Sequence, residues 1–172
     1  MNTTKKLCRA GVIAALYVAL TYAFAPIAFG SFQLRPAEAL CLLPLFFPEA
    51  IPALTVGCAL SNLASPFAIY DVPFGSLVTL ASAVCTYLIG KTAKGDSFKI
   101  TLGGLFPVLL NALFIPLIIL YTSGVENGGE LALYFSSAGS ILLTQSVFVY
   151  GLGTPLYFLM KKLKSKKLSF LE

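Results

Sequence analysis

Arg35 and Glu38 stand three residues apart in an otherwise apolar stretch, and Asp71 lies between Tyr70 and the run Val72-Pro73-Phe74. A carboxylate can accept two donors at once from a planar ligand, while a guanidinium or an amide donates to that ligand's carbonyl. Opposed groups of this kind suit a guanine-like edge, where a ring N–H and an exocyclic amine sit side by side. Either Glu38 or Asp71 can supply the carboxylate. Tyr70 and Phe74 offer aromatic faces, and stacking of a base on such a face is worth about 1–3 kcal/mol. Asn62, Asn111 and Gln145 add amides at depths where an unpaired polar group is costly.

Each of these residues has a plainer use. Arg35 and Glu38 can form a simple ion pair at a membrane boundary. Asp71 can cap a helix that starts at Pro73. Tyr70 fits an interfacial aromatic belt and Phe74 a core, and Asn111 and Gln145 can bond to each other between helices. Glu49, in the tight turn Phe47-Pro48-Glu49, reads as a helix-start cap or a partner contact.

Other chemistry is excluded. The chain has no histidine, so Ser/His/Asp triads, Cys/His dyads and helical zinc-protease motifs are all absent. Cys8, Cys41, Cys58 and Cys85 lie too far apart for the usual zinc-ligand spacing, so no metal site is expected. No phosphate-binding lysine loop is present, and the chain is not expected to bind ATP itself. An enzyme using Glu38 and Asp71 as acid and base lacks a nucleophile or metal to complete it. A purely structural subunit, whose polar groups only join helices, takes no ligand.

The elements that must hold these residues are membrane helices. Of 172 residues, 58% are hydrophobic and 11% charged, against about 25% charged in an ordinary soluble domain. One helical bundle uses the whole chain, 1–172, and leaves no room for a second domain. The net charge of +5 comes from short lysine clusters without interleaved aromatics, so nucleic acid is not an expected partner.

Apolar stretches run over about 10–29, 36–47, 48–64, 73–90, 100–121 and 131–160, with breaks at Pro36, Pro48 and Pro52. The Lys5, Lys6 and Arg9 flank followed by Ala23-Phe24-Ala25 resembles a secretory signal, but the apolar run is long for one. Six crossings place Lys5, Lys6 and Arg9, then Lys91, Lys94 and Lys99, then Lys161, Lys162, Lys164, Lys166 and Lys167 on one side. By the positive-inside rule that side is cytoplasmic, with both termini, and only Arg35 is left outside. Arg35, Glu38, Asn62, Tyr70 and Asp71 then gather at the outer face. Asn111 and Gln145 lie roughly 15 Å deeper, at 1.5 Å per residue. On the first helix Ala10, Gly11, Ala14, Ala15 and Ala19 recur at four-residue spacing, a pattern for close helix approach within the bundle or to another subunit.

Four stretches carry a family likeness: 32–40 (FQLRPAEAL), 48–54 (PEAIPAL), 57–63 (GCALSNL) and 71–77 (DVPFGSL). With them the chain resembles the QueT family of membrane proteins. The resemblance implies an all-α, six-helix substrate-binding S component of an energy-coupling factor (ECF) transporter in the cell membrane. Its implied ligand is a queuosine precursor, a 7-deazaguanine, captured from outside. Its implied partners are a transmembrane coupling protein and two cytoplasmic ATPases that hydrolyse the ATP. The docking surface it implies is the small-residue face of the first helix, which Ala10, Ala14, Ala15 and Ala19 match.

Overall fold

The computed structural model describes residues 3–29, 33–124 and 128–166, and no strand occurs among them. Phe32 and Lys167, named above, lie outside the described residues. Helix α1 (Thr3–Ala23) leads through a break at Phe24 into the one-turn α2 (Ala25–Ala28), which has a proline in its first turn. A 3-10 helix, Pro36–Leu45, follows, then α3 (Ala50–Asn62). Three long helices complete the chain: α4 (Ala68–Thr92), α5 (Asp96–Ser123) and α6 (Glu130–Ser165). A π-helical segment interrupts α4 at Asp71–Gly75 and another interrupts α6 at Val147–Leu152.

Helices α1, α4, α5 and α6 are each long and apolar enough to cross a membrane. Large apolar side chains such as Val56, Leu113 and Leu143 point outward, where hydrocarbon rather than water is the fitting solvent. The second and third expected crossings are shorter than the others. Ten residues of 3-10 helix and thirteen of α-helix each rise about 20 Å, less than the roughly 30 Å of hydrocarbon.

The second stretch also differs in kind from the α-helix that its apolar run suggests. Pro36 opens it, and Pro44 inside it has no N–H to donate to the preceding turn. Runs of 3-10 helix this long are uncommon. Here the neighbours enclose it: every residue from Ala37 to Pro44 is buried. Such backbone is tolerated at membrane depth only when protein surrounds it.

Glycines let the other helices close in. A Cβ on Gly90 of α4 would lie 2.9 Å from the Leu45 backbone, and one on Gly153 of α6 would lie 3.1 Å from the Ala39 carbonyl. We expect Gly90→Ala to cost about 1–3 kcal/mol through overpacking. The thermal midpoint of the purified protein in detergent measures this, and an unchanged midpoint would show that the contact is not tight.

The core is continuous across the 3-10 helix. On one side Leu40 and Leu43 pack with Ile13 and Tyr17 of α1 and Leu54 and Cys58 of α3. On the other, Leu42 packs with Val108 of α5 and Val149 and Tyr157 of α6. Ala112, Ile115 and Ile141 join α5 to α6 further along.

The basic clusters meet at one end. Asp96, in the first turn of α5, accepts a hydrogen bond from Tyr157 (2.9 Å) and pairs with Lys161. Arg9 of α1 pairs with Glu49 (3.3 Å) and lies over the Phe47 ring at 4.2 Å, with Lys164 5.9 Å from the same ring. Of the two expected uses of Glu49, the cap is not made, for its side chain forms no capping bond at the start of α3 and pairs with Arg9 instead.

Several boundaries differ from the sequence reading, beginning with α1, which runs Thr3–Ala23 where a stretch of about 10–29 is expected. Helix α4 begins at Ala68, five residues before Pro73, and α5 begins at Asp96 after Gly95, whose φ of 90° suits glycine. Helix α6 continues to Ser165, beyond the apolar run.

Candidate functional site

At the end of the bundle opposite the basic clusters, buried polar groups form a connected series. Tyr17 of α1 donates to Glu38 Oε1 (2.8 Å), and the Cys41 thiol donates to Glu38 Oε2 (3.0 Å). Glu38 is only 3% exposed, and both its oxygens are engaged within the protein. Arg35 does not pair with it. Arg35 precedes the 3-10 helix in an extended conformation, so the three-residue spacing does not bring the side chains together. Its Nε donates instead to the Ala28 carbonyl (3.2 Å), and its guanidinium lies 5.1 Å from the centre of the Phe29 ring.

Asn62, the last residue of α3, reaches across to α4. Its Nδ2 donates to the Asp71 carbonyl (2.7 Å) and lies 3.5 Å from the Cys58 sulfur. Asp71 is no N-cap, because the helix already runs from Ala68, and its carboxylate accepts from the Ser65 hydroxyl. Both contacts fall where α4 changes to π winding, a local widening frequent at functional sites. Gly75 makes room for them, since a Cβ there would sit 2.7 Å from Asn62 Nδ2. Gly75→Ala should push the amide off the Asp71 carbonyl and weaken ligand binding about tenfold, or 1.4 kcal/mol. Equal affinities of mutant and wild type in a titration would show that Asn62 does not position Asp71.

Asp71 opens into a pocket of about 180 Å³ between three segments. Phe29 and Gln33 contribute from the chain after α2, Ser65 and Phe67 from the α3–α4 connection, and Ile118, Ile119, Thr122 and Ser123 from the end of α5. Gln33 adopts φ of 47°, a left-handed conformation uncommon outside glycine. The pocket thus combines a carboxylate, an amide, hydroxyls and two aromatic rings at one mouth.

A larger cavity of about 680 Å³ lies between α4 and α5 and is almost wholly apolar. Tyr70, Phe74, Phe114 and Tyr121 line it, with the Tyr70 and Tyr121 rings 5.3 Å apart. Burying the polar edges of a heterocycle there would leave most of them without partners, since the Tyr70 and Tyr121 hydroxyls are the polar side-chain groups among the described lining residues. The smaller, polar pocket is therefore the better chemical site, and Tyr70 and Phe74 belong to the apolar side of α4.

Asn111 and Gln145 stand apart from both. They are buried on α5 and α6 and do not bond to each other, and Gln145 Oε1 has no hydrogen-bond partner. Gln145 shares a face with Ile141 and Val149, which pack with Ala112 and Val108, and neither amide is among the described lining residues of either cavity.

The small-residue pattern of α1 divides between two faces. Ala10 and Ala14 pack inward, with the Ala14 carbonyl 3.3 Å from where a Gly57 Cβ would be. Gly11, Ala15 and Ala19 are exposed in a row, and nothing lies within 4 Å of a Cβ built on Gly11.

A family model described as QueT transporter matches residues 7–162, from the first turns of α1 to the last turns of α6. The chain belongs to the QueT transporter family. Within it, the chain is similar to the queuosine precursor transporter QueT of Lactococcus lactis subsp. cremoris (strain MG1363), at 34% identity over 99 residues. That alignment covers 56% of this chain and 58% of the Lactococcus protein. No solved structure matches the chain. The QueT family is one of transporters, not enzymes, and the four long apolar helices among the described residues of this chain fit a helical membrane protein.

Proposed function

We propose that this chain is the substrate-binding S component of an ECF-type importer and captures a 7-deazaguanine queuosine precursor from outside the cell. The observation that carries the reading is the Asp71 carboxylate, set in a small pocket with Phe29 and Phe67 in its walls. Asp71 accepts the adjacent N–H groups of the guanine-like edge, the aromatic rings stack on the base, and the Gln33 amide completes the polar contacts. Glu38 is instead a positioning group, because it lies buried against Tyr17 and Cys41, which donate to its oxygens, and does not line the pocket. The Lactococcus relative's name supports the ligand class.

The chain sits in the plasma membrane and crosses it six times, the 3-10 helix and α3 forming the two short passages. Both termini are cytoplasmic, a reading supported by the gathering of basic residues at one end. A transmembrane coupling protein docks on the exposed face of α1, and two cytoplasmic ATPases supply the energy for release inside. Calorimetric titration of the purified protein with 7-aminomethyl- and 7-cyano-7-deazaguanine tests the reading. Micromolar or tighter binding of either is expected, and no binding of any purine-like base at that concentration would refute it.

A further inference from the structure

We infer that the Asp71 pocket selects a ligand carrying a primary ammonium, and therefore the 7-aminomethyl precursor over the 7-cyano one. The inference rests on the functional reading above and refines its ligand. It follows from what the pocket's polar atoms have left to offer.

Every hydroxyl among the described lining residues has already committed its single proton. Thr122 donates to the Ile118 carbonyl (2.8 Å), Ser123 donates to the Leu120 carbonyl (3.1 Å), and Ser65 donates to Asp71. A hydroxyl in that state presents only acceptor lone pairs. Thr122 and Ser123 are also the last residues before Gly124, which ends α5 in the left-handed conformation (φ 58°). The final carbonyls of a helix lack intrahelical donors, and the partial negative charge there favours a cation.

The one charged side chain among the described lining residues is Asp71, and no lysine or arginine is among them. Arg35 turns its guanidinium to the Phe29 ring and its Nε to Ala28. Among its described residues the wall is therefore rich in acceptors, carries one negative charge, and has the Gln33 amide as its side-chain donor. An alkylammonium, protonated at neutral pH like that of lysine, brings three donors and the opposite charge. A nitrile brings an acceptor and no charge, so it meets lone pairs on Thr122 and Ser123.

The test is a calorimetric comparison of the two precursors on wild-type protein and on Thr122→Val, which keeps the side-chain shape and removes the oxygen. The expected result is that wild type prefers the aminomethyl compound by at least about tenfold and that Thr122→Val narrows the gap, chiefly by weakening that compound. Equal affinities in wild type, or a preference for the cyano compound, would overturn the inference while leaving the functional reading intact. A gap unchanged in both Thr122→Val and Ser123→Ala would also overturn it, by removing the end of α5 from the recognition. Binding of neither compound would overturn the functional reading itself, and the preference with it.

Discussion

Asp71→Asn should weaken binding of 7-aminomethyl-7-deazaguanine about a hundredfold, or roughly 2.7 kcal/mol. The substitution keeps the side chain's size and its ability to accept from Ser65. It removes the negative charge and replaces one acceptor oxygen by a donor, which opposes the N–H groups of the base. Hydrogen bonds to a charged group are worth about 1.5–3 kcal/mol each, and the edge makes two, so the loss is large even after partial compensation by water. Glu38→Gln should act differently. The Glu38 oxygens face Tyr17 and Cys41, so its effect should appear first in thermal stability. Titrations of both variants beside wild type separate the roles, and a larger affinity loss for Glu38→Gln would assign the base to the other carboxylate.

Ala15→Trp should abolish uptake by cells while leaving ligand binding to the purified protein unchanged. Ala15 is exposed between Gly11 and Ala19, and small residues at four-residue spacing let another helix approach to backbone contact. An indole there holds the partner away without entering the bundle. Ala14→Trp gives the useful contrast. Ala14 packs against the core where α1 meets Gly57 of α3, so a large ring there should damage folding and lower the yield of purified protein. Transport assays with labelled precursor, paired with titrations, measure both outcomes. Normal uptake by Ala15→Trp would place the partner on another face.

How far the sequence could be read depended on how local each feature is. Membrane helices announce themselves by length and composition, because backbone hydrogen bonds must be satisfied within the segment. Hence α5 and α6 were legible, although their ends at Asp96 and Ser165 lie in polar sequence beyond the apolar runs. The start of α4 was hidden by Pro73, which is often a first-turn residue but here sits inside a π-helical segment. Pro36 and Pro44 mark Pro36–Leu45 as an irregular stretch, but the close approach of Gly90 and Gly153 that encloses it comes from distant helices, and no local pattern records that.

The charged residues pointed to the end of the molecule that holds the Asp71 pocket, but Arg35 and Glu38 do not pair there. Glu38 found Tyr17, twenty-one residues away, in place of Arg35. Gln33 lay within the conspicuous stretch Phe32–Leu40 but was overshadowed by Arg35. Thr122 and Ser123 carry no charge and end an apolar helix, so nothing in their own sequence marks them as pocket residues. They acquire that place only because α5 returns to the end of the bundle where α4 begins.

The most direct measurement is a crystal structure of the protein with bound 7-aminomethyl-7-deazaguanine. Density for the base is expected between Phe29 and Phe67, with its N–H edge on Asp71 and its amine at Thr122 and Ser123. Density in the apolar cavity beside Phe74 and Phe114, or against Glu38, would contradict this placement.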